Sequence, residues 1–135
     1  MAEGFARRYG ADVMEVASAG LSPANIVQEL TKKVMLEKNI TLDDHFPKSL
    51  DMVEVPMFDL VINMSGMKLP SRMPIEVRDW KVEDPIGKSE EVYIACRDQI
   101  EMLVMKLIIE MRRVQNGPKQ QPVSGLLRRV GSKLK

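Results

Sequence analysis

Few side chains in this sequence are equipped for covalent chemistry. Its 135 residues include one cysteine, Cys96, and one histidine, His45. Cys96 lies in a helical stretch whose Val92, Cys96, Ile100, Leu103, Leu107 and Met111 form one apolar stripe. A thiol on such a stripe, with no base and no helix N-terminus beside it, has a raised pKa and is inert, so Cys96 reads as a core residue. His45 stands in the acidic, loop-like Asp43-Asp44-His45 and reads as solvated rather than catalytic. Single copies of each exclude an internal disulfide framework and a Cys/His zinc cluster. The spacing of Asp and Glu suggests no metal, and neither glycine-rich phosphate-loop pattern is present, so no metal and no cofactor is expected.

One acid is better placed. Asp84 follows an apolar strand pattern and precedes Pro85. It is therefore expected in a loop at the C-terminal edge of a sheet, where open α/β folds place their active sites. The proline fixes the backbone beside it, which holds the carboxylate in the defined direction a general acid needs. An Asp-Pro turn is also common where no chemistry is done, and spacing alone does not separate the two.

The elements that must position Asp84 alternate. Residues 1–9 form a helix with Ala2, Phe5 and Ala6 on one face, stopped at Gly10 and lacking a cap in front. Asp12–Ala19 reads as a strand, and a helix runs from about Ala24 to Lys38 with Ile26, Val27, Leu30, Val34 and Met35 at helical spacing. A loop follows over 39–45, then a short helix from Ser49 to about Val55. Phe58–Met64 and Ile75–Trp80 are short apolar runs, the pattern of strands buried on both faces of a parallel sheet. Ser89–Gln115 is the longest helix, apolar nearly all round over Met102–Ile109, which implies either deep burial or a dimer contact. Strands alternating with helices predict an α/β fold, a three-layer sandwich with a mostly parallel sheet.

Length and composition agree with one domain. The chain is 44% hydrophobic and 29% charged, with no apolar run near the ~20 residues of a membrane-spanning helix and no signal-peptide pattern at its start. A cytoplasmic protein is the expectation. The formal net charge of +1 is unevenly spread. Five basic residues and no acid follow Asn116, leaving 15 basic and 19 acidic residues in the first 115, a balance of −4. Residues 1–115 are thus expected to be the domain and 116–135 a flexible basic tail. Its last twelve residues are read as frayed or as a short basic amphipathic helix, and neither nucleic acid nor a membrane is expected as its partner.

Several segments, in order, resemble the low-molecular-weight protein tyrosine phosphatase family and its arsenate-reductase-like bacterial branch. They are Met1-Ala2-Glu3-Gly4-Phe5-Ala6-Arg7, Val16–Gly20, Pro47–Leu50, Phe58–Ile62, Trp80 through Asp84-Pro85, and Arg97–Ile100. The resemblance covers roughly residues 1–115 and implies a parallel four-stranded sheet between helices. It assigns Asp84 the role of protonating the leaving-group oxygen, with a phosphate or arsenate oxyanion, or phosphotyrosine, as the ligand of a full-length form. In that family a Cys-x5-Arg-Ser/Thr loop supplies the nucleophile and holds the anion, immediately before the Met-Ala-Glu-Gly segment. Here Met1 is that methionine.

Three further expectations come from the departures. The given chain lacks the first strand and the nucleophile loop, either because the natural start lies upstream or because this is a degenerate, non-catalytic binding or regulatory module. It is expected to be inactive as given. Ser65 stands where reductases of this fold place relay cysteines, so a disulfide relay is not expected. The missing strand is central in the family, so the strands at 12–19 and 58–64 should re-pair directly or the chain should dimerise through the open sheet or its last helix.

Overall fold

The computed structural model describes residues 1–20, 27–45, 47–69, 75–116 and 129–133. In chain order the elements are α1 (Ala2–Gly10), β1 (Glu15–Ala19), α2 (Glu29–Leu36), 3-10 turns at Leu50–Met52 and Val55–Met57, β2 (Leu60–Asn63), β3 (Glu76–Asp79), α3 (Glu90–Asn116) and β4 (Arg129–Lys133). The strands form one parallel four-stranded sheet in the order β1-β4-β2-β3. The α/β class expected from the alternation of patterns is therefore what the chain adopts.

Residues 129–133 overturn the reading of the C-terminal segment. Neither a frayed tail nor a helix, they form β4 between β1 and β2, with Val130 in register with both Val16 and Leu60. Nor do β1 and β2 pair with each other, and the gap between them is not open. The physical reason is backbone hydrogen bonding. The facing edges of two parallel strands present rows of N–H and C=O groups, and an extended segment satisfies both rows whatever its side chains. Local propensity, weak for a sequence with two nearby glycines, does not decide the outcome. Residues 117–128, 134 and 135 lie outside the described residues.

Four other boundaries differ from the sequence reading. The strand expected from Asp12 starts at Glu15, because the N–H groups of Val13 and Met14 both donate to the Gly10 carbonyl in a turn closing α1. The helix expected over 24–38 is described as Glu29–Leu36, and residues 21–26 fall outside the described set. The turn that follows it closes at a left-handed Asn39 (φ 59°), a conformation Asn tolerates better than most side chains. The short helix expected at 49–55 is instead the pair of 3-10 turns, with Pro56 early in the second. β3 is not buried on both faces: it is an edge strand, and Glu76 and Asp79 are exposed. β2, by contrast, is buried at all four positions.

The main core joins the Leu60, Ile62 and Met64 side of the sheet to α1, α2 and α3 through Phe5, Met35, Ile100, Val104 and Ile108. Phe5 and Tyr9, one turn apart on α1, stack with ring centroids 6.0 Å apart. α1 meets α3 closely at Gly10, where a Cβ would come within 2.9 Å of Ile108 Cγ1. Arg112 locks this contact by donating to the Tyr9 carbonyl at 2.8 Å and to both oxygens of Asp12 at 3.0 Å. On the far side Arg78 of β3 grips Glu110 of α3 with two hydrogen bonds of 2.8 and 3.0 Å. Met102 and Ile109 of α3 are about half exposed, so the apolar excess of that helix is not all taken up inside the described residues.

Because Gly10 is the contact point, Gly10→Val is expected to force α1 away from α3 and to cost about 1–3 kcal/mol, the usual range for overpacking. Urea denaturation of the two proteins measures it. An unchanged midpoint would mean the helices separate without loss.

Candidate active site

The C-terminal ends of the strands open on a cavity of about 250 Å³. The first turn of α1 reaches it through Met1 and Glu3, β1 through Ser18–Gly20, β2 through Met64–Gly66, and the loop after β3 through Val82–Ile86. A fifth wall is the loop carrying His45, Pro47 and Lys48. That loop is held alongside β1 by two backbone bonds: the Gly20 N–H donates to the Lys48 carbonyl at 2.8 Å, and the Leu50 N–H to the Gly20 carbonyl at 3.1 Å.

Asp84 stands at the cavity as the sequence led one to expect, exposed at its edge. One carboxylate oxygen accepts the Ile86 N–H at 3.1 Å, so the turn that Pro85 begins also orients the acid. The loop is tied to α3 at two points. The Gln99 amide donates to the Lys81 carbonyl at 3.1 Å, and the Cys96 thiol donates to the Glu83 carbonyl at 3.3 Å. Cys96 is buried, and burial above all, helped by the charges of Glu83 and Asp84, pushes its pKa up. It is a neutral hydrogen-bond donor that carries the acid loop. Nothing about its surroundings would make a thiolate.

The far side of the cavity holds a carboxylate that spacing did not single out. Glu3 is 6% exposed. It accepts the Ser18 hydroxyl at 2.7 Å and the Arg7 Nε at 3.1 Å. The Glu3/Arg7 spacing of four on one helix was the available signal, and it indicates a pair rather than a site. His45, read as solvated, is instead partly buried with Nδ1 3.4 Å from Glu3. Burial is the larger influence and lowers its pKa, while Glu3 pulls the other way and the Arg7 and Lys48 charges add to the lowering. The imidazole is therefore neutral at pH 7, and its contact with Glu3 is not an ion pair.

Ser65 lines the cavity between these two walls but is fully engaged. Its hydroxyl lies 2.7 Å from Asn63 Oδ1 and accepts the Met67 N–H at 3.1 Å. The Asn63 amide in turn donates to the Met67 carbonyl at 2.8 Å and to Asp79 at 2.9 Å. This small network, with Gly66 at φ 74°, shapes the turn after β2. Among the described residues no group of three or more His, Cys, Asp or Glu could hold a metal ion.

The cavity is thus rimmed by strand ends and the N-terminus of α1, with the Asp84 carboxyl at its mouth. Comparison with known proteins gives the chain a family. Residues 1–117 match the model for the low molecular weight phosphotyrosine protein phosphatases. The chain belongs to that family. Its similar relatives include a putative arsenate reductase of Halobacterium salinarum, 33% identical over 106 residues, 77% of this chain and 74% of that one. A glutaredoxin arsenate reductase of Synechocystis is 31% identical over 115 residues, 82% of this chain and 87% of that one. Among solved structures, an arsenate reductase in the phosphate binding state superposes with a TM-score of 0.73 at 31% identity, covering 82% of this chain and 86% of that one. The arsenate reductase of Archaeoglobus fulgidus gives 0.68 at 30%, covering 79% and 86%. These curated relatives and solved structures are arsenate reductases. No helix of its described residues is long and apolar enough to cross a membrane.

The single histidine makes the electrostatics of the cavity directly measurable. His45 is expected to titrate below 6.5 by proton NMR, and Glu3→Gln to lower it further, because Glu3 is the group that favours its charged form. A folded-state pKa below the unfolded one means the neutral form is favoured by folding. The stability His45 contributes is then present above pH 6.5 and lost as pH falls through the folded value. A midpoint above 6.5 would show that attraction by Glu3 outweighs burial.

Proposed function

We propose that the cavity is the oxyanion site of an arsenate-reductase-like or phosphatase-like scaffold, with Asp84 as its general acid. The observation that carries this reading is the placement of Asp84: an oriented carboxylate at the cavity mouth, with one oxygen occupied by the Ile86 N–H. The other oxygen is left to hand a proton to a departing alkoxide or phenoxide. The substrate class is a tetrahedral oxyanion, arsenate or a phosphomonoester.

The chemistry such a site serves requires a thiolate that attacks the phosphorus or arsenic centre as the leaving oxygen takes its proton from Asp84. Within these 135 residues the only thiol is Cys96, which is buried, protonated and engaged with Glu83. No Cys-x5-Arg pattern occurs in the sequence. We therefore read the 135-residue polypeptide as catalytically silent by itself. It would turn over only when joined to a segment that supplies thiolate and anion-binding loop at the cavity. Ser65 cannot form a disulfide, which argues for phosphatase-type rather than relay-type chemistry in that joined form.

A second reading, a non-catalytic binding module, is favoured by β4. Its backbone already occupies the centre of the sheet, so the scaffold is closed without a further strand.

The experiment is hydrolysis of p-nitrophenyl phosphate, with arsenate reduction assayed in parallel. The 135-residue polypeptide is expected to give no rate above that of its Asp84→Asn variant. The same polypeptide preceded by a Cys-x5-Arg-Ser/Thr segment is expected to hydrolyse the ester and to lose 10²–10⁴-fold on Asp84→Asn, the usual worth of general acid catalysis. Activity of the short polypeptide, or an extended one indifferent to Asp84, would overturn the reading.

A further inference from the structure

α3 presents an outward face that the other described elements leave open. Its contacts with α1 and α2 run through Arg97, Glu101, Ile108 and Arg112. Those with β3 and the acid loop run through Cys96, Gln99 and Glu110. Between these two sides, turned away from the core, Met102 and Ile109 are about half exposed. Residues seven apart on a helix share a direction to within about 20°, so the two form one stripe. Exposed Asp98 and Arg113 extend it by one turn at either end. Asp98 is only partly engaged: Arg97 Nε at 2.9 Å and Lys38 Nζ at 3.9 Å approach the same oxygen, Oδ1. Arg113 makes no hydrogen bond or ion pair among the described residues.

The stripe is complementary to itself under a two-fold rotation. Met102 and Ile109 are equidistant from the midpoint between residues 105 and 106, and so are Asp98 and Arg113. We propose that this face is the contact between two copies of the chain, formed by antiparallel packing of α3 on α3. With the two-fold axis beside that midpoint, Met102 of each copy meets Ile109 of the other, and Asp98 of each meets Arg113 of the other. A parallel pair would instead set Asp98 against Asp98 and Arg113 against Arg113. An anionic membrane surface is a poorer occupant, because helices that lie on one line their polar face with Lys and Arg, whereas this stripe has an acid at one end. The apolar centre supplies the affinity, and the exposed charges fix the orientation while adding little to it. A single helix pair with two apolar anchors on each copy falls short of the roughly 800 Å² per partner of a standard interface, so the dimer is weak and concentration-dependent. Ile100, which lines the cavity, lies two residues before Met102 and so on the opposite side of α3. Pairing therefore leaves both cavities open.

The test is sedimentation velocity of the full chain over about 5–200 μM, the range in which a weak interface of this size forms. The sedimentation coefficient is expected to rise with concentration from monomer towards dimer. Met102→Glu, at an exposed position, is expected to hold the chain monomeric throughout. Arg113→Asp sets like charges opposite each other and is expected to weaken association about threefold or more. Orientation is read separately by cross-linking in air with copper phenanthroline. A mixture of Met102→Cys and Ile109→Cys chains should give a disulfide dimer containing one of each. Either variant alone should give none, because antiparallel pairing separates like positions by about 10 Å along the helix, beyond the reach of a disulfide. A chain that stays monomeric over the whole range overturns the proposal. So does a dimer indifferent to Met102→Glu or tightened by Arg113→Asp, and so do cross-links of either cysteine variant with itself.

Discussion

The pairing of β4 with the inner edges of β1 and β2 is the interaction on which the rest of this structure depends. Those two strands carry Ser18–Gly20 and Met64–Gly66, two of the walls of the cavity, and they do not touch each other. Only a strand between them keeps the walls at a fixed distance. Each backbone group it satisfies would otherwise be buried without a partner, at roughly 1–3 kcal/mol apiece. That row of obligatory bonds is strong enough to recruit a segment with poor side chains for the purpose. It explains why a basic, glycine-containing stretch lies at the centre of a parallel sheet.

α3 is the second organising element, and it works through polar side chains at the ends of the other elements. Arg112 closes the end of α1, and Arg97 closes the end of α2 by donating to the Val34 carbonyl at 3.0 Å and to Glu37 at 2.7 Å. Cys96 and Gln99 hold the loop before Asp84. Arg78 and Glu110 hold β3. The helix thus fixes the acid relative to the strand ends, and its Ile100 also lines the cavity. The role proposed for Asp84 needs a carboxyl that stays in place while substrates come and go, and this bracing would serve it.

The electrostatics of the cavity divide into two halves. The Asp84 side is exposed and acidic, with Glu83 beside it. On the opposite side Glu3 is enclosed by Ser18, Arg7 and a neutral His45, so its charge is answered within the wall rather than presented to a ligand. The oxyanion of the proposed function would meet the carboxyls of both Glu83 and Asp84 on the exposed side, and only a protonated carboxyl helps rather than repels it.

Much of this was legible from the residues in order. Leu60-Val61-Ile62 as a buried strand, the long stripe of α3, Asp84 ahead of Pro85 and the inert Cys96 all follow from periodicity, proline chemistry and burial, which act over a few neighbouring positions. The succession of motifs from Met1 to Arg97–Ile100 carried the family. What it did not carry were the partners made by distant parts of the chain. His45 looks solvated beside two aspartates until the loop is folded onto Glu3. Residues 129–133 look like a loose basic tail until β1 and β2 offer two unsatisfied edges. In both cases the deciding forces, burial and backbone hydrogen bonding across more than 40 positions of sequence, exist only once the sheet has assembled. Local sequence therefore determined α1, β2, α3 and the acid placed beyond the strand ends. The tertiary structure alone decided what stands at the centre of the sheet.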